Sequence, residues 1–480
     1  MSAKRLRKRI ILTVLVLLLA AGAYFGYQNR ESIEQIPIGS GVKAKTLATS
    51  LFLQGRDETA IQAEDIGYHP LFKYFKAKID RENKAVSVSF LIPGLFKKKA
   101  IYLDKIGAVL LNGVKEDDVR AWKPDMPAAE PSDAAAKPWP EGDLLPNTPD
   151  LTGIDSAMLA AALDNVFAEP DPAKLKRTRA VVVVKDGRLI AERYAPGFDK
   201  DTPLLGWSMS KSVTSALVGI LVGRGKLDIR APAPVPEWAG QSDPRRSITL
   251  DQLLRMSSGL EWYEEYADHP ISDVNRMLFL KGDMAAFAAS KPLKTAPGTV
   301  FEYSSGTALI ISRIIRASIG NQTDYLAFPR RALFNRIGMR TAVMEPDASG
   351  TFVGSSFTYA SARDWARFGL LYLNDGVWAG ERILPEGWVA YTRTPAPAAK
   401  KGEYGVQFWL NRGPEGSPEK RDYPRLPEDA FFCDGYQGQF VAVVPSAGLV
   451  VVRLGMTWQG DWGTEDLIGG VLAAVRKEKP

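Results

Sequence analysis

Ser208 and Lys211 stand three residues apart at the head of an apolar run that includes Met209, Val213, Ala216, Leu217, Ile220 and Leu221. Those apolar positions cover more than one helical face, so the spacing predicts a buried helix opened by the serine. Residues i and i+3 share a face, which sets the lysine beside the hydroxyl. A serine hydroxyl is a weak nucleophile until a base takes its proton. A lysine serves as that base when lost hydration and nearby positive charge lower its pKa. A helix N-terminus also favours negative charge developing on the serine oxygen. The chemistry open to such a pair is acyl transfer. The same S-x-x-K string arises by chance, and then Ser208 is a helix cap and Lys211 a surface lysine.

Other nucleophile chemistries fit less well. The chain of 480 residues has two histidines, His69 and His269, and one cysteine, Cys433. A Ser-His-Asp triad needs a histidine near the serine; His69 falls in the N-terminal region and His269 in the loop-like Asp268-His269-Pro270. The serine also lacks a nucleophile elbow, because Gly206-Trp207-Ser208-Met209-Ser210 has no second glycine. A single cysteine excludes an internal disulfide and a thiolate-rich zinc site. With no histidine partner in sight, Cys433 reads as a buried, inert residue. No metal or organic cofactor is implied, since side chains and backbone dipoles suffice for this chemistry.

A third group comes from Pro297-Gly298-Thr299-Val300-Phe301-Glu302-Tyr303-Ser304-Ser305-Gly306. The Pro-Gly turn and short extended run present Tyr303 on a loop ahead of an apolar helix over 307–317. A tyrosine near cations can shuttle a proton between nucleophile and leaving group. Without Ser208 and Lys211 it would read as a core or capping residue. Trp122, Trp139, Trp207, Trp262 and Trp409 are pocket candidates, although aromatics more often fill cores.

The elements that must hold these groups are mixed. A helix is expected over 155–167, and strands over 180–184 and 189–194 joined at Asp186-Gly187, a hairpin signal. Helices and loops follow to about residue 400. Strands return at 440–444 and 449–454 around a turn at 445–448, and a last helix spans about 464–475. Strands at both ends with helices between predict an α/β (α+β) unit: one antiparallel sheet closed by both termini, with a helical insertion.

Upstream, residues 30–120 read as a small accessory domain of β-rich or mixed type. Strands are expected at Ala85–Ile92 and Ala100–Leu111, with Lys97, Lys98 and Lys99 as a solvated loop between them. Residues 121–149, rich in proline and alanine, read as a linker. Residues 1–9 carry Lys4, Arg5, Arg7, Lys8 and Arg9, and 10–27 form an apolar run. That order predicts a single-pass inner-membrane anchor with a cytoplasmic N-terminus and the catalytic unit exported to the periplasmic or extracellular side. A cleaved signal peptide, with Ala21-Gly22-Ala23 as its site, is the rival reading. The formal net charge of +6 is concentrated in that basic tail, so a nucleic-acid partner is not expected.

Taken in order, the motifs resemble the beta-lactamase-related serine hydrolases, which include class C beta-lactamases, DD-peptidases, family VIII esterases and 6-aminohexanoate-dimer hydrolases. Ser208-x-x-Lys211 followed by Tyr303-Ser304-Ser305 is similar to the S-x-x-K and Y-x-N pair. Ile248–Leu254 before Ser257-Ser258-Gly259-Leu260 is similar to "TLxxLLxHTSGL", with Met256 in place of histidine. Ala366–Gly376 is similar to "RFGLLYLNGG". The likeness covers about residues 150–478 and implies a beta-lactamase/transpeptidase-like fold.

It implies Lys211 as general base, Tyr303 as proton relay, and an oxyanion hole from the backbone N–H groups of Ser208 and Tyr436. The third motif, K-T-G or H-x-G, falls at Cys433-Asp434-Gly435, where the lysine or histidine is missing. That cation holds the substrate carboxylate in penicillin-recognising members, so its loss points away from beta-lactams and D-Ala-D-Ala. Gly435 keeps room for close backbone approach. Gly206–Ser215 resembles the aminohexanoate-dimer hydrolases, in which a second tyrosine donates a proton to the leaving amine. Tyr266, in Glu264-Glu265-Tyr266-Ala267-Asp268, is the candidate and Tyr263 the fallback. Trp207 and Ser305, the latter in place of asparagine, are expected at the substrate. The implied substrate is a carboxylic ester or small amide. Alternatives are a DD-peptidase or true beta-lactamase, a non-catalytic ligand-binding member of the fold, and a membrane-tethered scaffold.

Overall fold

A computed structural model describes residues 30–127, 136–147, 150–267, 269–458 and 460–475. The basic tail and the apolar run 10–27 lie outside the described residues. Among the described residues no helix is long and apolar enough to cross a membrane.

The chain opens with helix α1 (Arg30–Phe52), followed by an antiparallel meander β1 (Phe75–Asp80), β2 (Ala85–Phe90), β3 (Lys98–Leu103) and β4 (Gly107–Leu110). The single strand expected over Ala100–Leu111 is therefore two. Lys105 and Gly107, at φ 66° and 95°, turn the chain between them. The expected lysine loop is also corrected. Lys98 and Lys99 belong to β3, and their ammonium groups reach across to Asn112 and Glu116.

Next come α2 (Ser156–Phe167), capped by Asp155, and the hairpin β5 (Thr178–Lys185) and β6 (Arg188–Tyr194). Asp186 and Gly187 take φ of 50° and 76°, the left-handed pair that a two-residue hairpin turn requires. The helical part contains α3 (Met209–Gly223), α4 (Leu250–Leu254), α5 (Ser305–Ile319) and α6 (Ala362–Leu373). The C-terminal part adds β7 (Trp409–Leu410), β8 (Phe431–Gly435), β9 (Gln439–Val444), β10 (Leu449–Gly455) and α7 (Thr464–Val475). The main sheet has the order β7-β8-β9-β10-β5-β6, antiparallel throughout, so the late strands pair with the early hairpin as the sequence predicts.

Strand alternation divides this sheet between two cores. Val182, Val184, Val441, Val443, Val450 and Val452 face α3 and α6. Val181, Val183, Ala442, Val444 and Val451 face α2 and α7. Both faces are covered, which is why these strands read as unbroken valine runs. Gly369 lets α6 lie close on the sheet, since a Cβ there would meet Val450 Cγ1 at 2.6 Å.

Residues 30–120 fold against this unit. Buried side chains of α1 and the meander, such as Leu47 and Val86, belong to the same continuous core as those of α3, α5 and α6. Charge joins the two parts as well. Lys45 pairs with Glu345, which also accepts from the Thr49 hydroxyl (3.0 Å) and the Ala108 N–H (2.6 Å). Asp65 is held by Arg56 (2.6 Å) and by Arg179 of β5 (3.0 Å). The end of the Pro/Ala-rich stretch is fixed too. The guanidinium of buried Arg367 donates to the Pro140 and Gly142 carbonyls, both at 2.8 Å, and Trp139 lies on it at 4.6 Å.

Candidate active site

Ser208 stands at the N-cap position of α3, makes no capping hydrogen bond with its side chain and is partly open to solvent, while every residue from Met209 to Leu221 is buried. Trp207, immediately before it, takes a strained φ of 45°, a backbone conformation that bulky residues rarely adopt outside functional turns. The turn is held by the Gly206 N–H donating to the Thr358 carbonyl (2.8 Å). The small polar residues of α3 lock its position. Ser210 accepts from the Thr358 N–H (2.9 Å), Ser212 donates to the Gln407 carbonyl (2.7 Å) and Thr214 to the Gly354 carbonyl (2.9 Å).

The Lys211 amine lies 2.9 Å from Ser208 Oγ, 3.0 Å from Ser305 Oγ and 3.1 Å from the Ser355 carbonyl oxygen. Its side chain is 1% exposed. Burial pulls its pKa down to about 8, against a smaller opposing pull from the Glu264 carboxylate. Three oxygen neighbours match either protonation state. An ammonium donates to all three. A neutral amine donates two protons, to Ser305 and Ser355, and presents its lone pair to the Ser208 hydroxyl.

Tyr303 is set by the loop the sequence predicts. Glu302 N–H donates to the Met256 carbonyl (2.8 Å) and Gly298 N–H to that of Ser257 (2.7 Å). The ring packs against Trp409 at 5.2 Å and Tyr404 at 5.8 Å, and the Lys211 amine lies 4.7 Å from its centroid. The hydroxyl interacts with Ser208 and Trp409. Burial, reinforced by Glu264, pushes its pKa well above the usual phenol range, so it is a protonated phenol at neutral pH.

Tyr266 is brought to the site. Its ring stacks on Tyr436 at 4.7 Å and meets Trp207 edge-on at 5.7 Å. Burial raises its pKa well above normal, while its interactions with Ser305 and Ser356 work the other way. The fallback Tyr263 is placed differently. It is 46% exposed, and its ring lies beside exposed His269 at 6.0 Å. Both histidines are exposed, and the His69 ring caps the Leu71 N–H.

The end of β8 passes beside the nucleophile turn. A Cβ on Gly435 would meet the Gly206 carbonyl oxygen at 2.2 Å, so only glycine fits there. Burial pushes the Cys433 thiol up to about 12 and the Asp434 carboxyl up to about 7. Tyr436 meets Trp207 edge-on at 5.6 Å, and the Trp207 indole donates to Gln437 Oε1 at 3.0 Å. Trp262 and Trp409 also border the site, whereas Trp122 and Trp139 pack elsewhere.

Sequence reasoning missed Glu264. Its carboxylate accepts from the Trp262 indole (2.5 Å), the Ser305 N–H (2.9 Å), the Ser305 hydroxyl (2.5 Å) and the Tyr266 hydroxyl (3.4 Å). It therefore sits at the N-terminus of α5, where a negative charge is favoured, one hydroxyl away from the Lys211 amine. The available signal was its place two residues before Tyr266, in a loop next to a tryptophan. Among the described residues no cluster of histidine, cysteine, aspartate and glutamate could hold a metal ion.

A beta-lactamase family model matches residues 171–469. The 6-aminohexanoate-dimer hydrolase of Paenarthrobacter ureafaciens is 30% identical over 263 residues, 50% of this chain and 66% of that enzyme. Esterase EstB of Burkholderia gladioli is 27% identical over 191 residues, 35% of this chain and 48% of the esterase. The chain thus spans just under two thirds of the first relative and about half of the second. A penicillin-binding protein homologue from Caulobacter crescentus shares the fold at a TM-score of 0.51, with 16% identity over 69% of this chain and 99% of that one.

Proposed function

This chain belongs to the beta-lactamase family, and we propose that it is a serine hydrolase that cleaves a carboxylic ester or small amide through an acyl-enzyme on Ser208. The observation that carries the reading is the buried Lys211 amine 2.9 Å from Ser208 Oγ.

Neutral Lys211 takes the Ser208 proton as the oxygen attacks the substrate carbonyl. The carbonyl oxygen becomes an oxyanion, which the backbone N–H groups of Ser208 and Tyr436 stabilise. Tyr303 gives its phenolic proton to the departing alkoxide or amine as the carbon–heteroatom bond breaks, and recovers a proton from the Lys211 ammonium. Its high pKa suits it to donation and relay rather than to acting as the primary base. Tyr266 is a second donor, suited to the poorer amine leaving group. Water then attacks the acyl-enzyme, giving its proton to Lys211, and Ser208 is released with its proton restored. Ser305 and Glu264 position the amine. The exported, membrane-anchored placement rests on the N-terminal basic and apolar segments alone.

With no lysine or histidine in Cys433-Asp434-Gly435, and a carboxyl at its centre, the site offers a substrate carboxylate no cation there. This favours ester and amide substrates over penicillins. The test is labelling with a fluorophosphonate probe, wild type against Ser208→Ala, followed by a panel of esters, small amides and penicillins. Labelling confined to the wild type, with turnover of esters or amides, is expected. An unlabelled wild type would favour a ligand-binding member of the fold, and rapid stable acylation by penicillin would favour a DD-peptidase.

A further inference from the structure

A cavity of about 610 Å³ reaches Trp207, the residue before the nucleophile, and runs between the hydrolase unit and the N-terminal segment. Its volume lies in the range of small-molecule sites. One wall belongs to the hydrolase unit and includes Trp207, Tyr266, Tyr436 and Trp458. The opposite wall comes from α1 and the segment leading into β1, through Ile38, Val42, Tyr68 and Phe72. That second wall lies wholly outside residues 171–469, the part matched by the family model.

Rings connect the two walls without a break. Trp207 meets Tyr436 at 5.6 Å, Tyr436 meets Trp458 at 6.2 Å, and Trp458 stacks on Tyr68 at 3.4 Å. The buried charges on the cavity wall have partners within the protein. Lys45 pairs with Glu345, and Asp65 with Arg56 and Arg179. The buried charges are thus paired, whereas exposed Lys174 and half-buried Arg177, which donates to the Glu64 carbonyl at 3.0 Å, also stand on the lining; in the buried part the apolar and aromatic surface decides what fits.

We propose that this cavity binds an elongated, uncharged apolar chain of the substrate, and that the N-terminal segment is a specificity element of the active site. The inference rests on the ester and amide reading above. Apolar chain atoms leaving water for such a pocket strengthen binding roughly in proportion to the area buried.

The test uses the full chain and two series: p-nitrophenyl acetate, butyrate and octanoate, which vary the acyl chain, and ethyl, butyl and octyl acetate, which vary the alcohol. In wild type, kcat/KM should rise by about tenfold or more from the shortest to the longest member of one series. Val42→Trp, which fills the cavity from α1, should bring that ratio to about 1, and Val42→Phe should give an intermediate value. A folding defect lowers both members together and leaves the ratio intact, so the ratio reports the pocket. A wild type flat in both series, or a ratio that both variants leave unchanged, overturns the proposal. Fluorophosphonate labelling separates the failures. A labelled but chain-indifferent enzyme sinks the pocket alone, and an unlabelled, inert one sinks the hydrolytic reading with it.

Discussion

Lys211 and Lys45 are both buried lysines, and burial lowers the pKa of each. Their counter-charges differ. Lys45, on α1, is in direct contact with the buried carboxylate of Glu345 and also donates to the Ala108 carbonyl at 2.5 Å. Lys211 touches two hydroxyls and a carbonyl, and its nearest carboxylate, Glu264, stands behind the Ser305 hydroxyl. A direct ion pair fixes a lysine as a structural cation that joins two parts of the fold. A hydroxyl placed between amine and carboxylate leaves the amine free to lose and regain a proton near neutral pH. The carboxylate still steadies the charged form.

The largest expected effect comes from removing each amine in turn. Lys211→Met should lower kcat/KM by about 10³-fold or more while the unfolding transition stays near wild type. Lys45→Met should do the reverse. It strands a buried carboxylate and should cost about 3–5 kcal/mol of stability in denaturant titration, while the folded fraction loses far less kcat than Lys211→Met does. If both variants lose activity and stability alike, the contrast between the two lysines is wrong.

Tyr303→Phe should reduce kcat by about 10²-fold or more, the usual range for loss of a positioned proton donor, with a smaller change in KM. Tyr266→Phe should act more weakly and unevenly, slowing amides more than esters, because an alkoxide leaves with less help than an amine. Equal losses on both substrates would reduce Tyr266 to a packing residue.

Glu264→Gln should have the smallest effect on the maximal rate and a directional effect on pH dependence. The carboxylate favours the charged amine, so removing its charge lowers the Lys211 pKa. The acid limb of the kcat/KM profile then moves to lower pH. An unmoved limb, with only a uniform loss of rate, would make Glu264 a purely structural cap of α5.

Much of this site was legible because its parts are local. An i, i+3 pair on an apolar helix fixes Ser208 beside Lys211 whatever surrounds it. Likewise, Pro297-Gly298 announces the loop that carries Tyr303. The sheet was legible for a related reason, since uninterrupted valine runs at both ends of the hydrolase unit require partners that cover two faces. Glu264 was not legible, because its role depends on a tertiary contact with Ser305 at the start of α5 that no spacing encodes. Tyr263 and Tyr266 lie on one short loop, and only the fold decides which turns inward. The N-terminal segment was misread in detail for a similar reason. Lys98 and Lys99 resemble loop residues until Asn112 and Glu116 are brought across the sheet to meet them.

The account stands on Lys211 acting as a neutral amine toward Ser208. The most direct measurement is the rate of fluorophosphonate labelling of wild type between pH 6 and 10, with the modified peptide identified by mass spectrometry. The account predicts a label on Ser208 and a rate that climbs as pH rises through about 8, then levels once the amine is neutral. A rate independent of pH across that range, or a label on any other residue, would contradict it.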